Sequence, residues 1–220
     1  MNKEEQFKVY AGGYNHFIYD LVPSNTKVLD VGCNTGELGL ELIKNKKCIV
    51  YGIDYSVSAI EITKSNLNKA KVIDLNFDEL PFSTDKFDVI VFGDVLEHII
   101  NPDKILNDYK KLLNKNGIII ASIPNVANIN IRWNLFWGNW NYKKWGILDR
   151  THLKFFTYKT IKKLFLDNGY SITSIKSTPG CSFFVLRYLE ILKYLKTKIC
   201  KIYPRLFALQ FIVIAKKNGD

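Results

Sequence analysis

The chain alternates between apolar runs of strand length and amphipathic runs of helix length, and this alternation constrains the fold more than any other feature. "KVLDV" is a continuous apolar run, and "GELGLELIKNKK" after it has the periodicity of a helix. Continuous apolar strands separated by amphipathic helices indicate a parallel sheet covered on both faces. The sequence therefore predicts a single α/β domain over residues 1–220, doubly wound, with a mostly parallel sheet. The seven predicted strands are "KVLDV", "CIVYGID", "KVIDL", "FDVIVFGD", "GIIIASIP", "YSITSIKS" and "FALQFIVIAKK".

Capping residues predict where several of the helices begin. Asn101 followed by Pro102 places a cap and a first-turn proline before "DKILNDYKKLLN". Ser58 and Glu61 have the spacing of a capping box. A further helix, "YKTIKKLFLDNG", is predicted to start after Thr157.

Composition favours a soluble protein of the cytoplasm. The longest apolar runs, such as "GIIIASI", are far shorter than the ~20 residues that span a bilayer, and the start "MNKEEQ" does not resemble a secretory signal. The four cysteines lack the spacing of disulfide or zinc frameworks, which indicates buried thiols in a reducing compartment. The net charge of +10 would suit nucleic acid, an anionic membrane surface or an anionic substrate, or would simply keep the surface solvated.

The stretch "KVLDVGCNTGELG" (27–39) contains the first strand and the turn that follows it. Ligands bind at such turns in parallel sheets. This turn lacks the terminal Gly-Lys-Ser/Thr of a P-loop. Its glycines, Gly32, Gly36 and Gly39, match the G-x-G-x-x-G pattern of dinucleotide folds poorly, with Asn34 where a middle glycine would stand. Because asparagine tolerates left-handed backbone, the turn itself survives that change.

Two acids flank this turn and indicate the charge of its ligand. Asp30 lies beside the loop, where a carboxylate would repel a diphosphate but could orient a cation. Asp54 ends the second strand, where an acid accepts hydrogen bonds from ribose hydroxyls. Together the two acids suit a positively charged nucleoside without a phosphate, such as S-adenosylmethionine.

With these motifs, the chain resembles the class I S-adenosylmethionine-dependent methyltransferases over nearly its whole length. "VLDVGCNTG" resembles the first motif of that family, "YGIDYS" its ribose acid and "FDVIVFGDVLEHI" its fourth-strand motif. The resemblance implies S-adenosylmethionine as cofactor and a Rossmann-like sheet whose last strand is antiparallel. It also implies cofactor contacts: Gly32, Cys33 and Gly36 at the methionine part, Asp54 at the ribose, Tyr55 on the adenine, Asp74 and Leu75 at the adenine amino edge, and Asp94 near the ammonium or sulfonium.

Residues 124–156, after the fifth strand, are predicted to cover the methyl acceptor. All four tryptophans of the chain lie in this segment, interleaved with asparagines and charges. Such a composition suits a sugar, would also suit stacked nucleic-acid bases, and equally suits a hydrophobic lid or subunit contact. "SIPNVAN", "GNWNY" and "LDRTHLKFFT" resemble bacterial methyltransferases of cell-surface polysaccharide and glycolipid synthesis. The predicted acceptor-binding residues are Asn125, Arg132, Trp140, Tyr142 and Arg150.

Histidines are the candidates for removing the acceptor's proton, because a neutral imidazole can take a hydroxyl proton near pH 7. His152 is the leading candidate, with Asp149 positioned in sequence to orient it, and His98 is the second. Glu97 and His98 could also share a metal ion. Because neighbouring residues point in different directions on a helix, no metal is expected.

A helical insert is predicted over residues 181–203, with apolar residues on one face and lysines off it. Its segment 183–203 could lie on an anionic membrane, pack on the sheet or contact a second copy in a homodimer. The leading function is O-methylation of a sugar hydroxyl of a surface glycan or its precursor. The alternatives are a quinol or other small-molecule acceptor and a non-catalytic cofactor-binding subunit. Nucleic acid is disfavoured, because "GDVLEH" stands in place of the "NPPY"-type motif used on base amines.

Overall fold

The computed structural model describes residues 13–179, 198, 200 and 202–219, and seven strands form one sheet at its centre. The strand order is β3-β2-β1-β4-β5-β7-β6. β7 runs antiparallel to β5 and β6, and the other neighbouring strands are parallel. This arrangement confirms the predicted fold class, including the antiparallel last strand. The strands are β1 (Lys27–Val31), β2 (Ile49–Asp54), β3 (Lys69–Val72), β4 (Phe87–Gly93), β5 (Leu113–Pro124), β6 (Tyr170–Pro179) and β7 (Ala208–Lys217).

Helices cover both faces of the sheet. On one face, α4 and α6 bury residues such as Leu106 and Phe165 against the strands, and on the other face α1 and α2 bury residues such as Ile18 and Leu42. Two apolar layers of this kind explain why the central strands are apolar on both sides. The helices are α1 (His16–Leu21), α2 (Glu37–Lys46), α3 (Val57–Asn66), α4 (Pro102–Lys110), α5 (Ile129–Phe136), α6 (Tyr158–Asp167) and α7 (Pro204–Phe207), with a 3-10 turn at Leu96–His98.

The helix caps agree with the sequence at two helices and differ at one. The Asn101 side chain accepts from the Lys104 amide at the start of α4 (3.0 Å), and Thr157 caps α6 through a capping box. At α3, however, the cap is Ser56, whose hydroxyl accepts from the Ala59 amide (3.2 Å). The predicted capping box starting at Ser58 is therefore wrong, because the helix begins at Val57.

Two strands have different bounds from those predicted. β3 was expected over residues 71–75, but residues 69–72 pair with β2, and the chain turns directly afterwards, where Asp74 O accepts from the Phe77 and Asp78 amides. β5 begins before Gly117, since Leu113 already pairs with Phe87 ahead of an irregularity in the register.

The predicted insert at 181–203 lies outside the described residues, apart from residues 198, 200, 202 and 203. Within the described parts of the chain, no helix has the length and apolar character that crossing a bilayer requires. The three cysteines with described positions, Cys33, Cys48 and Cys200, are buried and unpaired with one another.

Candidate active site

Three carboxylates lie at the carboxyl ends of three neighbouring strands. Asp30 is the penultimate residue of β1, Asp54 is the last residue of β2, and Asp94 directly follows β4. β2, β1 and β4 are adjacent in the sheet, so the acids share one edge, where open parallel sheets bind ligands. This concentration of negative charge favours a cationic ligand over a phosphate.

The loop after β1 is a tight turn held from two directions. Gly32, Asn34 and Gly36 all have left-handed backbone, with φ of 75°, 48° and 85°. The Ile53 carbonyl accepts from the Gly32 amide (2.8 Å), and the Thr63 hydroxyl of α3 donates to the Asn34 carbonyl (2.6 Å). Asn34 therefore fits the turn despite replacing a glycine, as its tolerance of left-handed backbone predicts.

Close contacts with neighbouring side chains explain why Gly32 in this loop and Gly52 in β2 are glycines. A Cβ on Gly32 would lie 2.5 Å from Val95 Cγ2, and a Cβ on Gly52 would lie 2.7 Å from Cys33 Sγ. The loop can therefore pack against Val95 and against β2 only while these positions lack side chains. Burial raises the pKa of the Cys33 thiol, with smaller contributions from Asp30 and Asp54, so Cys33 is a packed, protonated residue of the loop.

Asp54 accepts hydrogen bonds with both carboxylate oxygens. The amide of Asn34 donates to one oxygen and the amide of Ser56 to the other, each at 2.9 Å. Each oxygen keeps a second lone pair for a ligand hydroxyl. Tyr55 beside it is 77% exposed, whereas Asp74 and Leu75 lie in the turn after β3, where the Ile73 amide donates to the Asp54 carbonyl (2.9 Å).

Asp94 has a strained backbone conformation, and side chains of β5 and β7 hold its carboxylate. Its φ is 55°, a conformation that non-glycine residues adopt at a cost and that is concentrated at functional sites. Its Oδ1 accepts from the Ser122 hydroxyl (2.9 Å) and from the side-chain amide of Gln210, Nε2 (2.7 Å). Burial raises the pKa of Asp94 to about 6, although these two hydrogen bonds act in the opposite direction.

Glu97, on the 3-10 turn that follows, is a buried acid without a hydrogen bond to its carboxylate. It is 1% exposed, and neither Oε1 nor Oε2 has a hydrogen-bond partner. Burial and then the charge of Asp94 raise the pKa of Glu97 well above its ordinary value. Buried polar atoms are rarely left unpaired, so such a group in a native site requires an explanation.

The two candidate histidines lie side by side next to Glu97. The rings of His98 and His152 are 4.8 Å apart between centroids, and His152 Nε2 is 4.0 Å from Glu97 Oε1. His152 Nδ1 is 3.0 Å from the Ile147 carbonyl, and His98 Nδ1 is 3.1 Å from the Thr151 carbonyl. Because a carbonyl only accepts, each Nδ1 carries the proton, and each neutral ring presents Nε2 as an acceptor. Burial lowers the pKa of His152, which favours this neutral form.

Asp149, which was expected to orient His152, makes its side-chain hydrogen bonds to Thr151. Its Oδ1 accepts from the amide (2.8 Å) and the hydroxyl (2.7 Å) of Thr151. The Thr151 hydroxyl lies 3.2 Å from His98 Nδ1, so Thr151 connects Asp149 to His98. His152 is held by the Ile147 carbonyl instead.

The predicted acceptor-binding residues differ in what they contact. Asn125 is completely buried and its amide donates to the carbonyls of Arg205 (3.2 Å) and Ala208 (3.0 Å). We therefore propose a structural role for Asn125 in place of acceptor binding. Arg132 and Arg150 are exposed, and Arg132 Nε donates to the Ala127 carbonyl (2.7 Å).

Trp140 and Tyr142 belong to an aromatic wall that leads to the histidines. The ring of Phe155 lies 6.2 Å from His152, 5.4 Å from Trp140 and 6.4 Å from Tyr142 between centroids. This aromatic wall (Trp140, Tyr142, Phe155) therefore extends from His152 through Phe155 to Trp140 and Tyr142.

Comparison with known families identifies the chemistry of this edge. Residues 4–175 match the family described as a methyltransferase domain. The chain belongs to this family. This methyltransferase uses S-adenosylmethionine as its cofactor, and the residues at the edge fit it. The bare glycine loop can lie against the methionine part, Asp54 has lone pairs for the ribose, and the three acids suit the ammonium and sulfonium charges.

Known relatives support the family and the fold. The methyltransferase is 32% identical over 108 residues to a ubiquinone biosynthesis O-methyltransferase of Haemophilus ducreyi, with 45% of each chain covered, so it spans less than half the length of that relative. It is 28% identical over 186 residues to an uncharacterized protein of Methanocaldococcus jannaschii, with 74% of this chain and 70% of that protein covered. The crystal structure of a SAM-dependent methyltransferase from Archaeoglobus fulgidus superposes with a TM-score of 0.64 at 19% identity, over 98% of this chain and 100% of that chain.

Several residues of the site were missed by sequence reasoning. Ser122 and Gln210 hold Asp94, and Phe155 connects the aromatic wall to His152. A signal for the first two was present, because each is a polar residue inside an apolar strand, in "GIIIASI" and "FALQFIVIA". Buried polar side chains in such positions need hydrogen-bond partners.

Replacing Asp54 with alanine is expected to weaken cofactor binding by about 1–3 kcal/mol, the cost of leaving hydrogen-bonding groups unpaired. The ribose hydroxyls would lose their acceptor, and the loop would lose the anchor of the Asn34 and Ser56 amides. Titration calorimetry with S-adenosylhomocysteine measures this change. Asp167→Ala, which removes an exposed carboxylate of α6, is the matched control. Equal affinities for both variants and the wild type would mean that Asp54 does not contact the ribose.

Cofactor binding is expected to weaken below about pH 7 because of Asp30. Burial, followed by the charges of Asp54 and Glu37, raises the pKa of Asp30 to about 7. A cationic cofactor binds the ionised carboxylate, so each pH unit below that pKa should lower the affinity by up to about tenfold. The same raised pKa makes the ligand-free fold less stable as the pH rises towards 7. Affinities measured from pH 5.5 to 8.5 test this. Asp30→Asn should remove the part of the pH dependence that lies near pH 7 and leave the part near pH 6 that belongs to Asp94; an Asp30→Asn variant with an unchanged profile would contradict it.

Proposed function

We propose that this methyltransferase transfers the methyl group to a hydroxyl oxygen. The observation that supports this most is the cluster of Glu97, His98 and His152, three residues and more beyond Asp94, at the edge where we expect the cofactor. A hydroxyl is a weak nucleophile while it carries its proton, so the site of an O-methyltransferase needs a group that lowers the pKa of the acceptor or takes its proton.

The cluster offers both means of activating a hydroxyl. His152 Nε2 is an acceptor in a neutral ring, 4.0 Å from the Glu97 carboxylate that would stabilise an imidazolium. The same atoms could hold a cation, which lowers the pKa of a hydroxyl bound to it. In either case the chain's contribution is to fix the acceptor oxygen next to the cofactor.

A sugar hydroxyl is the acceptor that we favour. The aromatic wall next to His152 offers ring faces to the C–H faces of a sugar. Exposed Arg132 and Arg150 belong to the same segment and can donate to sugar hydroxyls. A glycan, or the precursor from which one is built, combines these features in one acceptor.

A quinol or similar phenol is the second candidate. It is favoured by the likeness to a protein named for ubiquinone biosynthesis, which matches 108 residues of this chain. A planar ring would also pack on Trp140 and Phe155. A phenol has a lower pKa than a sugar hydroxyl and would depend less on activation by the cluster.

A lipid-linked acceptor would bring the enzyme to a membrane surface. The segment that could contact anionic lipid, 183–203, is basic and amphipathic in sequence. A homodimer through the same segment is the alternative use of its apolar face. The activity proposed here does not depend on either.

Incubation with labelled cofactor distinguishes these acceptors. The purified protein is given S-adenosylmethionine with a labelled methyl group and, separately, nucleotide-sugars, lipid-linked oligosaccharides and quinols. We expect label in one of the sugar fractions. Label in the quinol fraction only would favour the second candidate, and cofactor binding without transfer to any fraction would indicate a non-catalytic subunit.

A further inference from the structure

We propose that Glu97, His98 and His152 bind a divalent transition-metal ion. One carboxylate oxygen and one ring nitrogen from each histidine lie within 4.8 Å of one another. Two histidines and one carboxylate are a donor set that holds catalytic zinc and non-haem iron elsewhere in proteins. Among the described residues, no other group of three His, Cys, Asp or Glu side chains is placed to hold a metal ion.

The hydrogen bonds of both histidines prepare them as ligands. Carbonyl oxygens of Ile147 and Thr151 fix the Nδ1 protons of His152 and His98. Metal-binding histidines in proteins are held in this manner, with the second nitrogen donating to a carbonyl or carboxylate, which fixes the tautomer and the ring orientation. The Thr151 hydroxyl, which donates to Asp149, also accepts from His98 Nδ1 (3.2 Å).

The buried, unpaired carboxylate of Glu97 independently supports a bound cation. Its side chain is 1% exposed, both oxygens lack a hydrogen bond, and one of them is 4.0 Å from His152 Nε2. Burying a carboxyl group without partners is costly. A cation bound between the carboxylate and the two rings would remove that cost.

The backbone holds the three residues in place, although they come from two parts of the chain. The amides of Leu153 and Lys154 both donate to the Glu97 carbonyl, at 2.8 and 2.9 Å. The loop that carries His152 is therefore attached to the turn that carries Glu97 and His98. The expectation of no metal considered only Glu97 and His98, on an α-helix. In the structure they lie on a 3-10 turn, and the loop supplies a third ligand, His152.

The donor set indicates which ions fit. Imidazole ligands suit zinc, iron, cobalt and nickel better than magnesium or calcium, which prefer oxygen ligands. An ion about 2.1 Å from each donor needs donors about 3–4 Å apart, so small side-chain rotations would close the site. Three protein ligands leave a coordination position open for a ligand from solution.

One consequence rests on the proposed function, whereas ion binding itself does not. An acceptor hydroxyl at the open position would lose its proton to water more readily, because a divalent cation lowers its pKa. The acceptor oxygen then forms a bond to the methyl carbon as the carbon–sulfur bond breaks, and that electron pair stays on sulfur. His152 would hold the ion in this reaction and would not receive the proton itself.

Calorimetry on chelator-treated protein, without cofactor or acceptor, tests the site. Zn²⁺, Co²⁺ and Mn²⁺ are titrated separately, with Mg²⁺ for comparison, and bound Co²⁺ is followed by its visible spectrum. We expect one ion per chain, and an affinity loss in Glu97→Gln and His152→Ala that exceeds the 10–100-fold typical of changes at outer-shell partners. His16→Ala changes the remaining histidine of the chain, which is not part of the cluster, and should bind the ion normally.

Folding of the variants is checked by their melting temperatures. Glu97→Gln keeps the shape of the side chain and removes an unpaired buried carboxyl, so its metal-free form should melt no lower than the wild type; only the wild type should then gain stability from the ion. No one-to-one binding, or equal binding by the folded Glu97→Gln and His152→Ala variants, would overturn the site. Ion binding without methyl transfer to any hydroxyl would refute the proposed function alone, and full transfer by metal-free protein would overturn the role of the ion.

Discussion

Replacing His152 with alanine is expected to lower turnover by about 10²–10⁴-fold, the usual contribution of a group that activates a nucleophile. The affinity for S-adenosylmethionine should change little, because we expect the cofactor to contact Asp54 and the loop after β1 rather than the loop of His152. The measurement is a steady-state rate at saturating cofactor and acceptor, combined with cofactor titration. A loss of turnover at constant cofactor affinity assigns His152 to the transition state.

The neighbouring variants make this result specific. His98→Ala should also lower turnover, since its ring contacts His152. Asp149→Asn should have a smaller effect, because the side chain of Asp149 is hydrogen-bonded to Thr151 and to neither imidazole ring. Asp167→Ala, on the outer face of α6, should leave turnover unchanged. If His152→Ala instead keeps the rate and only raises the KM of the acceptor, His152 is a binding residue and the cluster does not activate the hydroxyl.

Replacing Gly32 with alanine is expected to destabilise the protein by about 2–5 kcal/mol and to weaken cofactor binding at least about tenfold. Left-handed backbone costs an alanine roughly 1–2 kcal/mol, and a methyl group forced into a packed site costs about 1–3 kcal/mol more. The new Cβ would lie 2.5 Å from Val95 Cγ2. Because Val95 directly precedes the turn of Glu97 and His98, the substitution should disturb both the cofactor loop and the cluster.

Gly169→Ala is the matched control for this prediction. Gly169 also has left-handed backbone, with φ of 72°, but its Cβ would meet the end of a long side chain, Lys110 Nζ at 2.9 Å, which can turn away by giving up its hydrogen bond to the Asn168 carbonyl. Both variants therefore carry the backbone cost, and only Gly32→Ala forces a methyl group against a short, branched side chain. Melting temperatures and S-adenosylhomocysteine titrations compare them. Equal losses for the two variants would show that the close approach to Val95 has no consequence.

The sheet was predictable because its strands are continuous apolar runs and its ligand-binding acids follow those runs directly. Asp30, Asp54 and Asp94 could be placed at one edge from sequence alone, since the carboxyl ends of parallel strands share an edge. The end of β3 was placed too late, because "KVIDL" continues as an apolar run past Val72, where the backbone already turns. An apolar run in the sequence indicates which residues are buried and does not show where strand pairing ends.

The reactive cluster was only partly predictable from sequence. His98 and His152 were both recognised as candidates, but their contact depends on a 3-10 turn and on the amides that attach residues 153 and 154 to Glu97. The hydrogen bonds of Asp149 could not be predicted, because sequence proximity to His152 does not reveal that the Thr151 hydroxyl lies between Asp149 and His98. The unpaired carboxylate of Glu97 is a property of the packed structure and has no signature in the sequence.

The chemical bond that the enzyme makes is the most direct test of this account. S-adenosylmethionine carrying a ¹³C-labelled methyl group is incubated with the protein and an extract of its source, and the labelled product is examined by NMR. We expect the transferred carbon to have the chemical shift of an O-methyl ether, with one S-adenosylhomocysteine formed per methyl group, and no such signal with His152→Ala. A labelled N-methyl or C-methyl product, or an O-methyl signal of undiminished rate with His152→Ala, would contradict the assignment of this site to a hydroxyl.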